Sequence, residues 1–246
     1  MDELAGQVAV VTGSARNIGR AIAEALAAAG AAVIVNARSS RTEVEEVAAG
    51  IVARGGRARA VMADVADPLA ARQLVETAAA EFGRIDILVN NAALRKDGPL
   101  EEIPYEEWRE VLAVILDAAF LCSQAAVPHM KRTGAGTIVN IGGVGGHVGV
   151  SHRAHVAAAK SGVAGLTRAF AAELAASGIT VNCISPGHIH TARTGELPAH
   201  FRQRPVPLGR AGRPNEIADL ARYLAGPSGR FITGQVIHVN GGWHMA

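Results

Sequence analysis

The sequence predicts an α/β fold with one doubly wound parallel sheet of about seven strands and helices on both faces. Three observations predict it. Short continuous apolar runs, typical of strands buried on both faces, alternate with Ala- and Leu-rich helical segments along the whole chain. The connections between these segments are short. With 246 residues, 49 % of them hydrophobic, the chain suits a single domain spanning residues 1–246.

Each element follows from its local pattern. Gly30 and Gly178 are placed to cap two helices, and Pro68 suits the first turn of another. The predicted strands are Val8–Val11, Val33–Val35, Ala58–Met62, Ile87–Val89, Thr137–Ile141, Ile179–Ile184 and Gln235–Val239. The predicted helices are Ile18–Ala29, Thr42–Arg54, Pro68–Phe82, Tyr105–Met130, His152–Ala176 and Asn215–Leu224. Residues 187–213 lack such a pattern and are predicted to form a lid over a substrate.

Composition excludes several classes of function. The formal net charge of +2 and the absence of densely basic stretches argue against nucleic-acid binding. The chain has no basic leader and no uninterrupted apolar run of about 18 residues, so neither a signal peptide nor a membrane span is predicted. Cys122 and Cys183 are far apart and lack the spacing of metal ligands. We therefore expect a cytoplasmic protein without a metal.

The loop Thr12–Gly19 joins the first predicted strand to the first predicted helix. Gly13 permits a tight turn there, and Gly19 lets the helix pack close to the sheet. Asn17 stands where a middle glycine is usual, and asparagine tolerates left-handed backbone angles. The helix N-terminus offers unpaired N–H groups to a pyrophosphate. The predicted cofactor contacts in this loop are Gly13, Ser14, Arg16, Asn17, Ile18 and Gly19.

The end of the second predicted strand indicates which dinucleotide binds. A carboxylate there would accept the ribose 2′-hydroxyl of NAD and repel a 2′-phosphate. The sequence instead has Arg38 followed by Ser39. Because a guanidinium forms charge-assisted hydrogen bonds to phosphate, these residues favour NADP(H) over NAD(H).

Further motifs along the whole chain make it resemble the short-chain dehydrogenase/reductase family, most closely its 3-oxoacyl-carrier-protein reductase branch. The motifs are Thr12–Gly19, Asp64-Val65, Asn90–Ala93, Gly136–Ile141, Ala157–Lys160, Val181-Asn182, Pro186–Thr191, Ile232–Gln235 and Gly241-Gly242.

The resemblance implies a Rossmann-like fold and additional cofactor residues. Asp64 and Val65 would hold the adenine, and Asn90 and Ala92 would line the cofactor groove. The residues implied at the nicotinamide end are Pro186, Gly187, Ile189 and Thr191. Family members commonly form tetramers through two long helices, so the resemblance also implies a homotetramer or dimer.

The same resemblance shows where this chain departs from its family. A serine, a tyrosine, a lysine and often an asparagine carry out the family's chemistry. Lys160 occupies the lysine position, where it would also bind the nicotinamide ribose. The tyrosine position holds Val156, the serine position holds Gly143 and the asparagine position holds Ile115. Proton transfer would therefore need another group.

Histidines near these positions are candidate replacements, because histidine titrates near neutral pH. In a helix beginning at His152, that residue and Arg153 share a face with Val156 and Lys160. His188 follows Pro186-Gly187 at the implied substrate pocket. We predict His188 or His152 as the acid/base group, with Arg153 and Lys160 stabilising negative charge. Each histidine taken alone also suits an ordinary polar position, and Lys160 a purely ribose-binding role.

Three functions remain open from the sequence. The first is an NADP(H)-binding oxidoreductase that acts on a small-molecule carbonyl or alcohol with a non-standard acid/base group. The second is a catalytically degenerate subunit of a hetero-oligomer with an active homologue. The third is a non-redox lyase or dehydratase on the same fold.

Overall fold

The computed structural model describes residues 2–191 and 205–245, which contain one seven-stranded sheet in the order β3-β2-β1-β4-β5-β6-β7. Every neighbouring pair is parallel; Val10 of the first strand, for example, pairs with Ile34 on one side and Leu88 on the other. The strands are β1 Val8–Val11, β2 Ala32–Ala37, β3 Arg57–Met62, β4 Ile87–Asn90, β5 Gly136–Ile141, β6 Ile179–Pro186 and β7 Val236–Val239. The predicted doubly wound parallel sheet is confirmed.

Helices cover both faces of this sheet. The α-helices are α1 Asn17–Ala28, α2 Arg41–Ala53, α3 Pro68–Phe82, α4 Tyr105–Leu112, α5 Ala118–Thr133, α6 Ala154–Leu174 and α7 Pro214–Ala225. Short 3₁₀ turns occupy Leu100–Glu102, Val144–Gly146, Ala175–Ser177 and Pro227–Gly229. Buried side chains of α1, α2 and α7 form one core cluster with the sheet, and those of α3, α5 and α6 form a second. Burial on both faces explains the continuous apolar runs of the central strands.

The chain order reverses at the centre of the sheet, where β1 lies between β2 and β4. In open α/β sheets such a reversal leaves a crevice at the carboxyl ends of the strands. The loops that follow β1 and β4 both leave from this edge. The reversal therefore fixes where a ligand site can form.

Two predicted helices differ from the expected limits by more than one residue. The long stretch from Tyr105 is interrupted by a π-helical turn at Ala113–Asp117, so α4 and α5 are consecutive segments. The helix predicted from His152 begins instead at Ala154: His152 lies in the preceding turn with a left-handed backbone, φ of 62°, and Arg153 is the N-cap residue. The prediction that His152 shares a helix face with Lys160 was therefore wrong.

The combined helical stretch Tyr105–Thr133 is long and apolar enough to span a membrane by length and composition. Core helices of globular proteins meet the same criterion. Here Ala118, Cys122, Ala126 and Met130 pack into the second core cluster. The apolar character of this stretch is therefore partly explained by the sheet beneath it.

Candidate cofactor and catalytic site

A cleft of about 960 Å³ lies at the carboxyl edge of the sheet, at the reversal of chain order. It collects most of the predicted cofactor residues from the ends of five strands and from α6. Those lining it are Gly13, Arg16, Asn17, Ile18, Gly19, Arg38, Ser39, Asp64, Val65, Ala92, Lys160, Pro186, Gly187 and Ile189. Arg153, Gly143 and Val156 also line it. Residues more than 150 positions apart in sequence thus share one wall.

The loop after β1 has the backbone that its sequence predicts. Gly13 has φ of 60°, and a Cβ there would lie 2.9 Å from the Cα of Ala92. Asn17 has φ of 54°, so the left-handed conformation expected of that asparagine is confirmed. α1 begins at Asn17, and its first N–H groups therefore face the cleft that a pyrophosphate would enter.

Gly19 is the glycine of this loop with the least room for a side chain. A Cβ there would lie 2.4 Å from Nδ2 of Asn91 and 2.5 Å from the carbonyl oxygen of Gly13. Nδ2 of Asn91 donates hydrogen bonds of 2.9 Å to the carbonyl oxygens of Thr12 and Gly13. The close approach expected of Gly19 is thus present, and Asn91 holds the turn from the β4 side.

Two asparagines that the sequence reasoning did not single out hold this loop in place. Oδ1 of Asn36 accepts the N–H of Gly13 at 3.2 Å, while its Nδ2 donates to the carbonyl oxygens of Val61 and Ala63. Asn91 is the second. An amide at the carboxyl end of a buried strand was the available signal, because such a group can satisfy the backbone of neighbouring turns.

Two residues predicted to contact the cofactor have structural side-chain partners and do not line the cleft. The Ser14 hydroxyl donates to the carbonyl oxygen of Val11 and accepts the N–H of Asn36, both at 2.8 Å. Nδ2 of Asn90 donates to Oδ1 of Asn140 at 2.8 Å. Cofactor contact by these two residues stays a prediction, as it does for Thr191, which is buried.

The end of the cleft where the adenine is predicted carries opposite charges. The guanidinium of Arg38 lies 3.9 Å from a carboxylate oxygen of Asp64 and 3.9 Å from one of Glu110. The Arg38 side chain is about half exposed, so these ion pairs are weak and readily exchanged for a ligand. The arrangement leaves a cation beside the predicted ribose site.

Lys160 is buried at the other end of the cleft. Its Nζ donates a 2.6 Å hydrogen bond to the carbonyl oxygen of Ile141, at the end of β5. The pKa of Lys160 is lowered to about 8, chiefly by burial; Cys183 opposes the shift and the charge of Arg95 adds to it. A buried ammonium that titrates near neutral pH can both hold an oxygen and release a proton.

The three positions without the family's usual side chains differ in their surroundings. Gly143 has an extended backbone, and a Cβ there would meet no atom closer than Cγ of Lys160 at 4.0 Å. Val156 lines the cleft and packs against an apolar cluster formed by α4, α6 and β6. Ile115 is buried in that cluster within the π-helical turn. Two of the three therefore face the cleft.

The candidate acid/base histidines do not line the cleft. His152 is exposed at the entry to α6, and its carbonyl oxygen accepts the N–H of Gly98. His188 belongs to the segment after β6. His155 is fully buried, with Nε2 3.2 Å from a carboxylate oxygen of Glu107. The acid/base roles of His152 and His188 stay predictions without support from placement.

Arg153 lines the cleft and forms a two-point ion pair with Asp97, in which Nη2 lies 3.1 Å from Oδ2. Lys96 contacts Glu107 at 3.2 Å and Glu110 at 2.9 Å. The loop after β4 is thus tied to α4 on one side and to the start of α6 on the other. This positions Arg95 and Asp97 at the Lys160 end of the cleft.

Part of the predicted lid can be placed. Residues 192–204 lie outside the described residues. In the described part, Ile189 and Gly212 form an isolated bridge, and the N–H of Leu208 donates to the carbonyl oxygen of Gly241. Within the residues that the structure describes, no cluster of three or more metal-binding side chains is arranged to hold an ion.

Comparison with known proteins agrees with this geometry. Residues 13–244 match the family model described as enoyl-(acyl carrier protein) reductase. A 3-oxoacyl-[acyl-carrier-protein] reductase of Synechocystis sp. strain PCC 6803 is 44 % identical over 246 residues, which cover 100 % of both chains.

Two solved structures have the same fold. A putative short-chain alcohol dehydrogenase from Sinorhizobium meliloti 1021 superposes with a TM-score of 0.93 at 37 % identity, covering 98 % of each chain. A putative NAD(P)-dependent gluconate 5-dehydrogenase from Beutenbergia cavernae, with bound NADP at low occupancy, gives 0.91 at 42 % identity and the same coverage.

Proposed function

The chain belongs to the short-chain dehydrogenase/reductase family, in its 3-oxoacyl-[acyl-carrier-protein] reductase-like branch, and from this we propose that it is an NADP(H)-dependent oxidoreductase of a carbonyl or alcohol. Lys160 takes over the role of the family's tyrosine. The observation that carries the proposal is the buried Lys160 ammonium, which lines the cleft beside Gly143 and Val156.

The dinucleotide fits the residues present. A Cβ at Gly13 or Gly19 would reach neighbouring backbone atoms, so both glycines keep the turn compact at the start of α1, where a pyrophosphate binds. Arg38 supports the 2′-phosphate of NADP(H), and the B. cavernae neighbour holds NADP. When bound, the reduced cofactor supplies a hydride. Asp64, Pro186 and Gly187 line the wall along the rest of its length.

Lys160 supplies what the missing hydroxyls would have supplied. Developing negative charge on a carbonyl oxygen needs a proton or a positive charge at its side. Nζ of Lys160 holds a proton in a dry environment, where an ammonium stabilises an oxyanion more strongly than in water. Arg153, paired with Asp97, adds fixed charge at the same end.

A second candidate is a degenerate subunit that supports an active homologue. The residues at positions 115, 143 and 156 favour it, because none of the three can transfer a proton. An apolar groove of about 620 Å³ between α5 and α6, lined by Leu116, Phe120 and Leu166, supports assembly with further subunits.

We also propose a cytoplasmic location. Cys122 and Cys183 are buried free thiols, as expected for a reducing compartment.

The test combines binding with turnover. Purified protein is titrated with NADPH and NADH by cofactor fluorescence, and carbonyl substrates including 3-oxoacyl thioesters are screened by absorbance of the reduced nicotinamide. Lys160→Met is expected to lower turnover at least 100-fold. Lys131→Met, on the exposed end of α5, is the matched control and is expected to retain activity.

Each outcome separates the candidates. Binding without turnover, followed by activation of a co-expressed homologue, would replace the first candidate with the second. Loss of substrate with no change in cofactor oxidation state would indicate a lyase. Full turnover in Lys160→Met would overturn the role of this lysine.

A further inference from the structure

Three histidine rings lie together near the Lys160 end of the cleft, which we call its catalytic end. His147 follows the 3₁₀ turn after β5, His238 lies in β7, and His244 lies in the C-terminal segment. The ring centroids of His147 and His238 are 4.8 Å apart, those of His238 and His244 4.7 Å, and those of His147 and His244 5.9 Å. We call these three residues the histidine cluster. They join three chain segments that are far apart in sequence.

The cluster is built for neutral rings. The His238 ring packs edge-on against both partners. The rings of His147 and His244 are nearly parallel, with an angle of 12° between their planes. Nε2 of His147 and Nδ1 of His238 are buried and have no hydrogen-bond partner among the described residues. A proton added at either atom would thus gain no acceptor.

The surroundings of His147 and His238 oppose protonation of these two rings. Burial first, then the neighbouring rings, lowers the pKa of His147 and His238, and Arg168 of α6 contributes to the shift of His147. The groups that shift these pKa values include no carboxylate among the described residues. Ser185, the β6 neighbour of His238 in register, is uncharged.

The C-terminal segment connects the cluster to the cofactor cleft. Trp243, next to His244, is 3 % exposed and lines the cleft. A compact turn holds it there: the carbonyl oxygen of His244 accepts from Nδ2 of Asn240, and the N–H of Trp243 donates to the carbonyl oxygen of Asn240. A Cβ on Gly187, at the predicted nicotinamide end, would lie 2.7 Å from the Cα of Asn240, so this turn lies close against that end of the cleft. Displacement of His244 therefore moves part of the cleft wall.

We propose that the histidine cluster is a pH-sensitive latch: its neutral rings hold the C-terminal segment and Trp243 against the cleft, and protonation below neutral pH releases them. Positive charges on rings whose centroids lie 4.7–5.9 Å apart, with Arg168 nearby, repel one another. Among the described residues, no carboxylate contributes to the pKa shift of His147 or His238. The segment carrying His244 is the one that yields, because His238 is fixed in β7 by its pairing with β6, whereas His244 lies outside the helices and strands of the described residues.

Trp243 itself reports the movement, since Trp108 is the other tryptophan of the chain. In Trp108→Phe protein, titrated without cofactor from pH 8 to 5, we expect the Trp243 emission to shift to longer wavelength with a midpoint below about 6.5, the ordinary histidine pKa. The shift is expected to disappear, or to fall at least twofold in amplitude, when His244→Gln is added. His190→Gln, exposed and outside the cluster, is the matched control and leaves the shift intact.

Several results would overturn the latch. The first is flat Trp243 emission over this range. The second is an unchanged transition in His244→Gln. The third is a transition that coincides with loss of far-UV circular dichroism or appears equally in Trp243→Phe protein, where Trp108 reports. If zinc at pH 8 reproduces the change in emission and EDTA abolishes the acid transition, the cluster is a metal site and the latch is overturned.

The readout needs no bound cofactor, so the latch and the proposed enzymatic function can fail independently. Where NADPH does bind, its dissociation constant is expected to rise several-fold between pH 7.5 and 5.5 in the unmodified chain and to change less in His244→Gln. A dissociation constant that rises equally in both would remove the link between the latch and the cleft.

Discussion

The glycines at the two ends of the cleft differ in the space around them. At the phosphate end, a Cβ on Gly19 would lie 2.4 Å from Asn91, so packing requires glycine. At the catalytic end, a Cβ on Gly143 would meet only Lys160 Cγ at 4.0 Å, and the backbone there is extended. Packing therefore requires glycine at position 19, whereas position 143 has room for a larger side chain. The loop proposed to bind the cofactor is thus fixed by the packing of the scaffold, whereas the backbone at position 143 leaves room for other side chains.

The largest expected effect comes from returning hydroxyls to the catalytic end. Gly143→Ser combined with Val156→Tyr places both groups beside Lys160, and positioned acid–base groups contribute about 10²–10⁴-fold. We expect reduction of a 3-oxoacyl thioester by NADPH to rise by that order. Gly143→Ala with Val156→Phe adds similar bulk without hydroxyls and should give no increase. A double variant no faster than the parent would show that the catalytic end differs in more than these side chains.

The next effect tests the adenine end. Arg38→Ala removes the guanidinium expected to bind the 2′-phosphate, and hydrogen bonds to charged groups contribute about 1.5–3 kcal/mol. The dissociation constant for NADPH should rise about 10- to 100-fold while that for NADH stays nearly constant. Arg41→Ala, which removes an exposed arginine paired with Glu45, should change neither. Equal loss of both cofactors would contradict a role in choosing between them.

A pair of glycine substitutions tests the packing difference directly. Gly19→Ala forces a methyl group against Asn91 and the Gly13 carbonyl, and overpacking of this kind costs about 1–3 kcal/mol. Gly165→Ala, in α6 with open space around it, should leave stability unchanged or raise it by about 0.5–1 kcal/mol. Urea unfolding followed by circular dichroism measures both. A stable Gly19→Ala protein would show that the loop can shift away from β4.

The last prediction concerns pH. The pKa of Lys160 is lowered to about 8, so its ammonium is present below that pH and is lost as the pH rises above it. Turnover at saturating substrate should therefore fall as pH increases from 8 to 10, approaching about tenfold per unit. A Lys160→Arg protein with residual activity should show a flat profile, since arginine stays protonated. Turnover that increases steadily over this range would exclude an ammonium as the active form.

The sequence predicted the cofactor residues of the site better than the residues proposed for acid–base chemistry. Most of the residues expected to hold the cofactor line the cleft, since the glycine loop and the strand ends follow from local patterns. The expected face shared by His152 and Lys160 failed, because the left-handed backbone of His152 starts the helix two residues later. No periodicity signals that conformation.

The chain by itself determined the alternation of strands and helices, the left-handed Asn17 and the arginine at the end of β2, because these depend on neighbouring residues and on backbone sterics. Only the tertiary structure decided that Lys160 is desolvated, that His155 lies against Glu107, and that His147, His238 and His244 meet. Burial and electrostatic contact depend on distances between segments far apart along the chain. Folding of the sheet sets those distances.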